Sequence, residues 1–119
     1  MKLYSEEAMK DLKSAFDEEV LGWPGVGPNK RFGCPCYEAK GKLFAFLVTK
    51  GVVATQLPEV DRGKLYQDRK AAPFRPGGKA IQPWAQLPFR TRKDLGRIVP
   101  LVRSSYEAAL TTRKAEKRR

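Results

Sequence analysis

The sequence predicts an α+β domain in two layers, an antiparallel sheet with helices packed on one of its faces. Three observations predict it. One amphipathic run lies near the start of the chain and another near its end, each with apolar residues at helical spacing. Between them, residues 31–57 hold three short β-prone runs separated by Lys40-Gly41 and Lys50-Gly51, whose glycines supply the positive φ of hairpin turns. The chain has 119 residues, 41% of them hydrophobic, which suits one domain with one modest core.

The first helix is expected over residues 5–21. Met9, Leu12, Phe16 and Val20 recur at helical spacing with Ala8 beside them, and Ser5 is the N-cap. Glu6 and Glu7 complement the helix dipole, and Gly22-Trp23-Pro24-Gly25 ends the helix. Asp17-Glu18-Glu19 reads as a solvated face rather than a metal site.

The meander follows. With two-residue turns at 40–41 and 50–51, Tyr37 faces Phe44 and Val48 faces Val53. One face then carries Tyr37, Phe44, Phe46, Val48, Val53 and Leu57, with Thr55, and helices should cover it. The other carries Cys36, Glu38, Leu43, Ala45, Leu47, Ala54 and Gln56. That strip is too apolar to be fully wetted, so another segment or a partner chain should cover it.

Pro58 leads into a short helix over 60–69, weakened by Gly63. Residues 71–79 are a loop rich in breakers and bases. Residues 80–87 read as a further strand, and Pro83 puts it at an edge or a bulge. Thr91 and Asp94 open the last helix as a near capping box. Leu95, Ile98, Val99, Val102, Tyr106, Ala109 and Leu110 form its apolar stripe, opposite Lys93, Arg97 and Ser104. Pro100 falls toward the wet side, so one bent helix is expected.

These elements carry motifs in a fixed order: Trp-Pro-Gly-Val (23–26), Arg-Phe-Gly (31–33), Cys-Tyr (36–37), Gly-Lys-Leu-Phe-Ala (41–45), Pro-Phe (73–74), Trp84 before Leu-Pro, and Ser-Tyr-Glu-Ala-Ala (105–109). In this the chain resembles the MmcQ/YjbR-like proteins and the related TfoX N-terminal domains, from about residue 5 to residue 110. The resemblance implies a frataxin-like, YjbR-like sheet-and-helix domain over 1–112 and a DNA-binding label that rests on fold comparison. It brings no catalytic residues. Residues 113–119 are expected to form a basic, disordered tail.

Charge is the strongest compositional signal. The net charge is +11, yet residues 1–19 hold six acids and three bases, while residues 20–119 hold 21 bases and seven acids. Such a field favours anionic partners. The candidate nucleic-acid-binding residues are Lys30, Arg31, Arg69, Lys70, Arg75, Lys79, Arg90, Arg92, Lys93 and Arg97. Lys93 and Arg97 lie one turn apart, and Arg90 and Arg92 sit at a helix start whose amides attract phosphate, so these four are expected to grip one stretch of backbone. Phe74, Trp84 and Phe89 lie among bases, where aromatics can stack on nucleobases, although core burial of Phe74 and Trp84 is the plainer reading.

Chemistry is otherwise sparse. Histidine is absent, removing the commonest general base and metal ligand. Cys34-Pro-Cys36 sits at the geometric limit for a disulfide within one strand, and zinc would need two more ligands. Gly25-Val-Gly27 and Gly77-Gly78 match no phosphate loop. No enzyme, cofactor or metal is therefore expected. No apolar run is long enough to span a bilayer and no signal peptide is evident, so a cytoplasmic protein without a membrane partner is expected. Two readings stand: a weak, sequence-tolerant nucleic-acid module, or a protein-interaction adaptor. The adaptor would self-associate through the Leu43/Ala45/Leu47 strip or bind a partner through its acidic first helix.

Overall fold

The computed structural model describes residues 3–81 and 83–117, with side chains as far as Thr111. Helix α1 (Glu6–Val20) starts at Ser5, whose hydroxyl accepts the Ala8 N–H at 3.3 Å, and buries Met9, Leu12, Ala15, Phe16 and Val20. The buried stripe is the one the spacing predicts, with Ala15 in the place expected for Ala8, which is exposed.

Six strands form one antiparallel sheet: β1 (Val26–Arg31), β2 (Cys34–Ala39), β3 (Lys42–Val48), β4 (Gly51–Ala54), β5 (Ala72–Pro73) and β6 (Ala85–Pro88). Their spatial order is β1-β2-β3-β4-β6-β5. Helix α2 (Glu59–Gln67) joins β4 to β5, and α3 (Leu95–Lys117) follows β6 through a short 3₁₀ turn, Arg92–Asp94. The fold class is thus α+β, with three helices. The basic tail expected over 113–119 lies beyond the described side chains.

Two strands escape the sequence reading. β1 contains Gly27 and Pro28, which argue against a strand, but it is an edge strand, where a proline costs no ladder bond. β5 has two residues and exists only because β6 pairs with it. β6 begins after Pro83 rather than spanning 80–87. Before it, the Trp84 N–H donates to the Ile81 carbonyl at 2.9 Å instead of to a strand partner.

The first predicted hairpin holds at its turn and fails beyond it. Lys40 and Gly41 have φ of 51° and 86°, and Ala39 pairs with Lys42 as expected. Then Glu38 pairs with Leu43 but Tyr37 pairs with Ala45, so Phe44 is an extra residue in β3. This bulge reverses the alternation. Tyr37, Phe44, Ala45 and Leu47 now face the helices. Phe16 of α1 meets Tyr37 edge-on at 5.0 Å, and Phe44 packs on Trp23 and on Tyr106 of α3. Phe46 pairs with Cys36 and Val53 on the opposite face, so Phe46, Val48 and Val53 do not lie under the helices. All three are buried all the same, and Phe74 and Trp84 cover Phe46, their ring centroids 5.5 and 5.3 Å from it.

The second hairpin turns one residue early. Thr49 and Lys50 form the turn, Lys50 has φ of 60°, and Val48 pairs with Gly51 rather than Val53. Gly51 serves packing instead. A Cβ there would lie 3.0 Å from the Gln86 amide nitrogen and 3.1 Å from a Val48 methyl.

α3 buries Ile98, Val102, Ser105, Tyr106 and Ala109, with Pro100 exposed inside the helix as expected. α2 buries only Leu65, in keeping with its Gly63. Among the described residues, no helix is long and apolar enough to cross a membrane.

Candidate nucleic-acid interface

All ten predicted basic residues are exposed, but the fold does not gather them into one patch. Lys30 and Arg31 lie on β1. Arg69 and Lys70 follow α2 and lead into β5, at the other edge of the sheet. Five inter-strand steps separate β1 from β5, about 24 Å along the sheet. Arg31 is also engaged, since its guanidinium donates to Glu38 at 2.9 Å and Asn29 shares the same oxygen. Arg75 and Lys79 stand on the loop that covers the face opposite the helices.

Two predicted bases do converge. Arg69 and Arg90 line a groove of about 570 Å³ together with Lys50, Tyr66, Pro73 and Gln86. Strand order explains the meeting. Arg90 follows β6, which lies between β4 and β5, and Lys50 sits at the turn into β4, where its carbonyl accepts the Phe89 N–H at 3.1 Å. No acidic residue lines the groove, and none of the three cationic groups has an ion-pair partner among the described residues. The buried Tyr66 hydroxyl likewise has no hydrogen-bond partner among the described residues. The sequence reading missed Lys50 because it took the residue for a turn former. Only the β4–β6 pairing reveals its neighbours.

The other expected grip is partly pre-empted. The Asp94 carboxylate accepts the Arg90 and Thr91 N–H groups at 2.8 and 3.2 Å and the Arg97 guanidinium at 2.8 Å. The two backbone donors, and Arg97 after them, hold the Asp94 carboxyl below its usual range. The start of α3 therefore carries its own anion where phosphate was expected. Arg92 and Lys93 remain exposed beside it. Of the aromatics considered for stacking, Phe74 and Phe89 are core residues and Trp84 is half-buried.

A second cleft, of about 490 Å³, runs between α1 and the β1–β2 edge. Asp17 was expected on a solvated face with Glu18 and Glu19. Instead it is half-buried and accepts the Tyr37 hydroxyl at 2.5 Å and the Lys13 ammonium at 2.6 Å. Burial first, then the bond to Asp17, pushes the Tyr37 phenol up, so it is a neutral donor. The i,i+4 spacing marks the Lys13–Asp17 pair in the local sequence, but not the bond to Tyr37, a strand residue 20 positions away.

Both thiols are buried and free, and burial pushes Cys36 up to about 11. Neither is a thiolate at neutral pH. Among the described residues no cluster of three or more Cys, Asp or Glu could hold a metal ion. The strip proposed for self-association is not a surface, since Ala45 and Leu47 are fully buried under the helices and only Leu43 is partly exposed.

No family model, curated protein or solved structure matches this chain.

Proposed function

We propose that this chain is a YjbR-like, frataxin-like domain that catalyses no reaction and binds nucleic acid weakly and without sequence preference. The observation that carries this reading is the groove in which Lys50, Arg69 and Arg90 converge with no acid among its lining residues. Three unpaired cations beside a backbone-sized channel suit successive phosphates. Phosphate contacts of this kind carry no sequence information, which suits sequence-tolerant binding. Lys70, Arg92 and Lys93 extend the positive field around it.

Phosphate contacts release counterions, so affinity should fall steeply with salt. Neutralising Lys50, Arg69 and Arg90 together should lower the slope of log affinity against log salt by about 2–3 units. A salt-dependent titration of the whole chain on DNA and on RNA tests this. No binding to either at low salt would sink the reading, and an unchanged slope in the triple variant would remove the groove from it.

A further inference from the structure

Phe32 occupies a place where the backbone disfavours it. The turn between β1 and β2 has two residues, Phe32 and Gly33, with φ of 58° and 74°. Such turns favour Asn, Asp or Gly in the first place. A bulky side chain there brings Cβ against the following carbonyl oxygen, and φ of this sign is rare for residues of its kind. Burial does not offset the strain, because Phe32 remains 60% exposed. Strained residues persist where the surroundings over-determine them, and they cluster at binding sites.

The ring is nevertheless held in place. Its centroid lies 5.8 Å from Phe46 and 6.2 Å from Trp84, and Phe46 is fully buried. An exposed ring thus stands on a buried aromatic floor. Ile81, also exposed, follows Lys79 on the same covering loop, and its N–H donates to the Phe74 carbonyl at 2.9 Å. The surroundings are basic. Lys30 and Arg31 precede the ring, Arg75 and Lys79 stand on the loop that leads to Trp84, and residues 69–93 contain no acid. Glu38, on the same face of the sheet, is taken up by Arg31 and Asn29.

A flat apolar ring in a positive field matches the two parts of an unpaired nucleotide, a π-face and a phosphate. We propose that Phe32, with Trp84 beside it, is a base-stacking platform and that the ligand is single-stranded nucleic acid. In a duplex the π-faces are already stacked on one another. The inference rests on the nucleic-acid reading above, yet it uses none of the groove's residues, so the two can fail separately.

The test titrates the whole chain at low salt with three probes of about 12 nucleotides, a length within the footprint of single-strand binders. These are an oligothymidylate, an abasic strand of the same length and a duplex. Oligothymidylate should bind tightest. Phe32→Asn should weaken it about 5- to 150-fold, the loss expected for one stacked base, with the abasic strand and the duplex unchanged. Phe32→Tyr should retain the affinity. Because Asn suits the turn, the thermal midpoint of Phe32→Asn should hold or rise, and the opposed readouts separate a binding role from a structural one. The platform is overturned if oligothymidylate binds no better than the abasic strand, or equally well to Phe32→Asn, while the groove reading survives. If no probe binds, both fall.

Discussion

The Ser105 hydroxyl donates to the Phe44 carbonyl at 2.6 Å and accepts the Gln56 N–H at 2.9 Å. One side chain of α3 thus fastens the bulge in β3 to the segment leaving β4. Ser105→Ala should cost about 1–3 kcal/mol, because it leaves the part-buried Gln56 N–H without its acceptor. Denaturant unfolding measures it, and an unchanged midpoint would show that the Gln56 N–H finds another partner. The sequence put Ser104 on the wet side of the helix and placed Ser105 only within the Ser-Tyr-Glu-Ala-Ala motif, with no contact assigned to it. A serine within an apolar stripe reads as a gap, and its acceptor lies 61 residues away. The burial of Asp17 escaped for the same reason, since its phenol partner is 20 residues distant, whereas its pairing with Lys13 follows from the i,i+4 spacing. Side chains whose partners are local were legible, and those with remote partners were not.

At the scale of elements, the start of α3 shows what local chemistry can specify. All the Asp94 backbone and guanidinium contacts come from within four residues, and the capping arrangement was readable from Thr91 and Asp94 alone. Asp94→Asn should destabilise the fold by about 0.3–1.5 kcal/mol at neutral pH. The sign of the pH dependence follows from the lowered carboxyl pKa. The contribution is complete above the ordinary carboxylate range and disappears as pH falls through the lower folded value. Acid titration of stability should therefore show a shallower loss in Asp94→Asn than in the parent, and parallel curves would count against this. The meander was legible as strands and turns but not in its facing. A bulge has no sequence signature, and one extra residue at Phe44 moved Phe46, Val48 and Val53 to the other face. Gly51 misled because close packing and turn formation both ask for glycine.

For the whole molecule, the sequence carried the charge but not its arrangement. Ten bases were named, and the sheet order sends Lys30 and Arg31 to one edge and Arg69 to the other, while recruiting Lys50. That same order has a kinetic consequence. Strands β1 to β4 are joined by three two-residue turns, so they zip together locally. β6 reaches β4 only after residues 55–84 have looped back to pair Ala54 with Ala85. Until then Gly51-Val52-Val53-Ala54 is an open strand edge bearing two valines, bounded on its far side by a completed meander. Such an edge can pair with the same edge of another chain. Refolding yield should therefore fall as protein concentration rises, with the losses appearing as aggregate, and a yield independent of concentration would refute this. The β4 edge is thus covered only after the meander beside it is complete.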